Sequence, residues 1–156
     1  MLYQLENLNV TEKELVLNAP AYITILIAGA DDNITQAEIK RALQLVHIKT
    51  YSESIDIQDL YQKIDKDFEN RLTALIESLP GSLPLREEII TRELNKLNSI
   101  LPTLEVHISG KYYKSLRNFA TYIAQAAGGI AGFESLSYRE EKFVKLPMIH
   151  DPNPES

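Results

Sequence analysis

The chain contains no cysteine. That absence removes disulfides, thiolate zinc sites, iron–sulfur clusters and cysteine nucleophiles together. Positive charge is in deficit: sixteen Lys and Arg stand against twenty-two Asp and Glu, a net charge of −6 over 156 residues. A nucleic-acid-binding module ordinarily carries a basic face, so no nucleic-acid partner is expected. Long apolar runs are missing too. The longest, from Ala19 to Ala30, is interrupted by Pro20, Tyr22, Thr24 and Gly29, and it is too short to cross a bilayer as a helix. Met1 to Val10 holds neither Lys nor Arg and no apolar core of signal-peptide length, which argues against secretion by that route. The expectation is a cytoplasmic protein with no transmembrane segment.

What is present suits one globular domain. Hydrophobic residues make up 44% and charged residues 24%, enough for a sizeable core without staples or structural metal. The apolar period is helical almost everywhere. Ile57, Leu60, Ile64, Phe68, Leu72, Leu75, Ile76 and Leu79 step by three and four along one helix, with Asp56 as its predicted cap and Leu79-Pro80-Gly81 as its stop. Leu85, Ile89, Ile90, Leu94, Leu97 and Leu101 repeat the pattern up to Pro102, and Tyr112, Tyr113, Leu116, Phe119, Ala120, Ile123 and Ala127 repeat it up to Gly128-Gly129. Tyr22 to Ile27 is rich in β-branched residues, which favour a strand. A lone strand would have no partner, and Pro20 suits the first turn of a helix. A helix from about Pro20 to Ala30 is therefore expected, kinked onto the preceding one. The reading is all-α, with six or seven helices. Residues 1–10 form a lead-in, 11–148 a single helical domain and 149–156 a flexible tail.

Three helix starts carry a Ser or Thr followed three residues on by Glu: Thr11 with Glu14, Thr35 with Glu38, and Ser137 with Glu140. In this pattern the hydroxyl accepts from the Glu N–H while the carboxylate accepts from the cap's own N–H. Two segments share a longer plan. Ile27 to Glu38 and Ile123 to Glu140 each pass from a small-residue helix end through a turn to an apolar residue, a Ser/Thr cap and a Glu. Duplicated helical hairpins packed about a pseudo-twofold axis would explain it; recurrence of a common cap would also.

The first of these turns is acidic. Asp31, Asp32 and Glu38, with Asn33 and Thr35 between them, gather oxygen donors around one helix–turn–helix junction. Asp31 and Asp32 follow a helix C-terminus, whose partial negative charge repels them. A hard divalent cation, calcium or magnesium rather than zinc, would relieve that repulsion. The spacing is not that of an EF-hand, because Gln36 replaces the turn glycine and Ala42 the bidentate Glu. Against a metal stands ordinary turn and cap chemistry: Asp and Asn bond their own backbone in tight turns, and capping can occupy Glu38. A carboxylate has lone pairs enough to cap and ligate together.

Elsewhere, signals of chemistry are weak. His47, His107 and His150 lack metal-ligand spacing and read as surface residues. Gly128-Gly129-Ile130-Ala131-Gly132 has no following Lys-Ser/Thr, so helix termination explains it better than a phosphate loop. Tyr112 and Tyr113 among Lys111, Lys114 and Arg117 read as a core stripe with solvated flanks.

At the acidic turn the chain resembles the TerB-like tellurite-resistance family. The likeness is carried by Ala28-Gly29-Ala30-Asp31-Asp32-Asn33-Ile34 with Glu38, and by Ala126-Ala127-Gly128-Gly129-Ile130-Ala131-Gly132-Phe133 followed by Leu136-Ser137 and Glu140. It spans about Thr11 to Leu146. The resemblance implies an all-helical, internally duplicated bundle, acidic metal-binding positions and a role in stress-linked, often membrane-associated, protein complexes. Asp31 and Glu38 match the first acidic pair and Glu140 the second Glu. Two departures stand out: Asp32 takes the place of the usual glycine, and Gly128-Gly129 stands where an aspartate often sits. The leading functional reading is a non-enzymatic module that binds a divalent cation and docks onto a protein partner. The alternatives are a metal-dependent hydrolase-type enzyme using the same carboxylates, and a metal-free helical scaffold.

Overall fold

The computed structural model describes residues 1–29, 34–127 and 142–154. Within them the chain is all-α, as expected, with seven α-helices and no strand. In chain order these are α1 (Leu2–Leu5), α2 (Val10–Ala28), α3 (Gln36–Ser52), α4 (Ile55–Ser78), α5 (Leu83–Asn95), α6 (Leu97–Ile100) and α7 (Val106–Ala127), with a 3₁₀ turn at Leu101–Thr103 before α7.

The long helices α4 and α7 follow their sequence pattern. Ile57, Leu60, Tyr61, Ile64, Phe68 and Leu72 are buried along one face of α4. Ile108, Tyr112, Leu116, Phe119, Ala120 and Ile123 are buried along α7. The two stripes meet at Phe68 and Phe119, whose rings stand edge to face with centroids 6.5 Å apart, the arrangement that sets a positive ring edge against a negative ring face. α4 stops at Leu79, which takes an extended backbone because the following Pro80 disfavours helical dihedrals in the residue before it.

Helix α2 runs between these layers, packed against α4, α5 and α7. It is one continuous helix with Pro20 inside it, not a second helix starting at the proline. Pro20 has no N–H, so the carbonyl four residues back, Val16, loses its helical donor. The Tyr112 hydroxyl on α7 replaces that donor, bonding Val16 O at 2.9 Å in the core. One turn on, Thr24 Oγ1 donates to Pro20 O at 2.8 Å. The β-branched Ile23, Thr24, Ile25 and Ile27 are all buried. Burial on every side, rather than a strand, is what that run encodes.

Several local expectations are corrected. The α2 cap is Asn9 with Glu12, joined by reciprocal bonds of 2.8 and 3.0 Å, not Thr11 with Glu14; Glu14 instead accepts from Arg71 at 2.8 Å. Ser54, not Asp56, occupies the cap position of α4, and the Asp56 carboxylate pairs with Lys111. The pattern from Leu85 to Leu101 is broken at Lys96 between α5 and α6, and Leu85 is 52% exposed. The lead-in is folded: α1 buries Leu5, and Gln4 Oε1 accepts from the Glu105 N–H at 2.9 Å. Residues 149–153 of the tail are docked as well. Ile149 is only 3% exposed, Asn98 bonds both Met148 O and the His150 N–H, and Asn153 donates to Val106 O. One buried isoleucine and three side chain–backbone bonds hold a segment too short to show any period.

Candidate functional site

The α2–α3 junction is built from three helices. α2 has no basic residue in its last turn, so its negative C-terminal end needs a cation from elsewhere. Arg86, one turn into α5, supplies it by donating from Nη2 to Gly29 O at 2.8 Å. Gly29 allows this approach: a Cβ there would lie 3.2 Å from Ile34 Cγ1 and 3.4 Å from Arg86 Nη2. On the far side of residues 30–33, Thr35 caps α3 as its sequence predicts. The Glu38 N–H donates to Thr35 Oγ1 at 3.1 Å, and the Thr35 N–H donates to Glu38 Oε1 at 3.0 Å.

Glu38 is half-buried. It lines a cleft of about 90 Å³ with Ala28, Ala37, Arg41, Ile123 and Ala126. The small-residue ends of α2 and α7 thus meet at the start of α3. The only sequence-predicted site residue among those described is Glu38; Asp31, Asp32, Asn33 and Glu140 lie outside the described residues, as do the Ser137 cap and the Gly128–Gly132 run. No cluster of three or more His, Asp or Glu side chains suited to a metal ion occurs among the described residues.

Sequence reasoning missed the arginines. Arg86 lies 57 residues from Gly29, and nothing local marks it. The lack of a cation in the last turn of α2 is a signal that one must arrive from elsewhere, without saying which. Arg41 carries a fainter signal, its spacing of three from Glu38, which sets the two on neighbouring positions of one helix face.

The remaining candidates are structural. The His47 ring bonds Asp65 at 2.9 Å on the surface, and His107 lies 3.5 Å from Glu105. Tyr112 is fully buried and Tyr113 nearly so. Burial pushes the Tyr112 and Tyr61 phenols above their ordinary range, so both stay protonated at neutral pH. Tyr61 bonds Ser115, and the buried Lys49 pairs with Glu53 over the Tyr61 ring. A larger cleft of about 440 Å³ opens between α2 and α5–α6, walled by Leu15, Tyr22, Glu93, Lys96 and Ile100. Burial, and then the Glu93 charge, raise the Tyr22 phenol.

No protein-family model matches this chain, and no curated protein or solved structure matches it either. Among the described residues, no helix is long and apolar enough to cross a membrane.

Proposed function

We propose that this chain is a non-enzymatic helical module of the TerB-like kind, taking a divalent cation at the α2–α3 junction and docking onto a protein partner in a stress-linked, membrane-associated complex. The observation that carries this reading is Glu38. Its Oε1 is committed to the α3 cap, while its second oxygen makes no hydrogen bond among the described residues. A capping carboxylate of this kind keeps lone pairs for a hard cation. Asp31, Asp32 and Asn33 precede it in sequence and would add oxygen donors, which suit calcium or magnesium better than zinc. The cleft at Glu38, about 90 Å³, is far below the roughly 300–1,000 Å³ of substrate pockets, which supports binding over hydrolysis.

Thermal melting with calcium, magnesium, manganese and zinc in turn tests this. A ligand that binds the native state alone stabilises it by about 2.7 kcal/mol at a hundredfold excess over Kd. At least one hard cation should raise the melting temperature, and Asp31→Asn should abolish the rise.

A second reading, the metal-free junction, is favoured by the two arginines. The Arg86 guanidinium already answers the negative end of α2 at Gly29 O, and Arg41 shares the cleft with Glu38. On this reading none of the four cations moves the melting curve, and Glu38 contributes as a cap alone.

A further inference from the structure

A separate pocket includes Arg86 in its lining. It encloses about 220 Å³, and Ile25, Ile34, Ile76, Leu79 and Pro80 form its apolar wall. Among the described residues, Arg86 is the sole charged residue of the lining. A guanidinium carries five N–H donors in a planar fork. One of them goes to Gly29 O; the others have no carboxylate partner among the described residues. Among the described residues, the pocket therefore presents one positive charge with spare donors at the edge of an apolar hollow.

We propose that this pocket binds a carboxylate carried on a short apolar chain, supplied as a free acid or as the C-terminus of a peptide ending in an aliphatic residue. The planar fork matches a carboxylate through two parallel bonds. The single cation matches a monoanion. A phosphate ester brings roughly −1.5 to −2 charges and usually calls for an arginine cluster, which a lining with one guanidinium in a chain of net charge −6 does not offer. A neutral apolar ligand would fill the hollow while leaving the guanidinium's spare donors unmet. The volume is below that of drug-sized pockets, so the chain is short. This inference does not rest on the metal: the lining it uses includes none of the oxygen donors proposed for the cation.

The test is calorimetric titration of the full chain with hexanoate, hexanol and hexylamine, with amide chemical shifts locating the bound probe. Hexanoate should bind at least tenfold more tightly than either of the others, moving the signals of Ile34, Ile76 and Gly81. Arg86→Gln should bring hexanoate down to the level of hexanol. Arg86→Lys, which keeps the charge but not the fork, should fall between. An acetylated tripeptide ending in leucine, compared with its C-terminal amide, distinguishes the sources. A free-acid peptide that outbinds hexanoate points to a peptide terminus, and one that binds less tightly points to a small acid. Equal binding of hexanoate and hexanol would overturn the proposal. So would no binding by any probe, shifts confined to another face, or an Arg86→Gln variant that binds hexanoate like the parent.

Discussion

Val16 within α2 and Gly29 at its C-terminal cap each carry a carbonyl without the donor that a continuing helix would supply, and the chain answers them in opposite ways. At Val16 the donor is missing because Pro20 has no N–H; the replacement is the neutral, buried hydroxyl of Tyr112. At Gly29 the helix ends, and the replacement is the charged, half-buried guanidinium of Arg86. The first joint is sealed: Tyr112 has no exposed surface, and burial keeps its phenol protonated. The second is open, with donors that have no carboxylate partner among the described residues, beside a pocket of about 220 Å³ and a few residues from the Glu38 cleft. One chemical need, met in apolar surroundings, gives a structural joint. Met at the surface, it leaves a group available for a ligand.

The largest effects should come from the stretch of α2 between the two carbonyls. Ile23, Ile25, Leu26 and Ile27 point in different directions around the helix, yet all are buried. Each change to alanine should cost about 2–5 kcal/mol in chemical denaturation, whereas Lys63→Ala and Lys66→Ala on the exposed face of α4 should stay within about 0.5 kcal/mol. An α2 position that tolerates alanine would mean that the helix has a solvent side after all.

At the open end, Arg86→Ala should cost about 1 kcal/mol, since Gly29 O loses a donor that water replaces in part. Glu38→Ala should cost a similar amount as a cap defect at Thr35. Denaturation midpoints of the two variants and their double mutant should be nearly additive, because the bonds share no partner. A strongly non-additive pair would join the two arms of the junction into one network.

The smallest effect repeats the contrast one residue from Tyr112. Lys111 reaches the surface and hydrogen-bonds the Asp56 carboxylate. That bond, helped by the charges of Lys111, His107 and the N-terminus, holds the Asp56 pKa below its ordinary 3.8. A depressed carboxylate contributes stability that is present above the unfolded pKa and lost as pH falls through the folded value. Asp56→Asn should therefore be slightly less stable than the parent at neutral pH, and the two should converge below about pH 4. Urea midpoints measured across that range check the sign; a gap that widens toward acid would reverse it.

The sequence made legible what is local or periodic. α4 and α7 each bury one face, so their stripes stand out. Thr35 and Glu38 lie three residues apart, so their box is written in four letters. α2 has no stripe because burial on all sides erases the period, and its β-branched run then imitates a strand. At the start of α2 both Asn9/Glu12 and Thr11/Glu14 fit a capping pattern. The choice is linked to Arg71, which engages Glu14 from 57 residues away. Ile149 looked like fraying because a single apolar residue carries no period, and the partners of its neighbours, Asn98 and Val106, sit about fifty residues back. Arg86 was hidden for the same reason. In the candidate site the capping carboxylate could be read in advance; the guanidiniums beside it, supplied by tertiary packing, could not.

The most direct test of this account is a double-mutant cycle on Pro20 and Tyr112. In the parent background Tyr112→Phe leaves the buried Val16 carbonyl without a donor and should cost about 1–3 kcal/mol. Pro20→Ala restores a backbone N–H four residues after Val16, the helical donor that the proline removed. In that background Tyr112→Phe should cost at least about 1 kcal/mol less, because the carbonyl keeps a partner. The coupling should therefore lie well outside the roughly 0.3–0.5 kcal/mol within which independent sites add. Equal cost of Tyr112→Phe in both backgrounds would contradict the account, showing that the tyrosine hydroxyl does not stand in for the missing donor of α2.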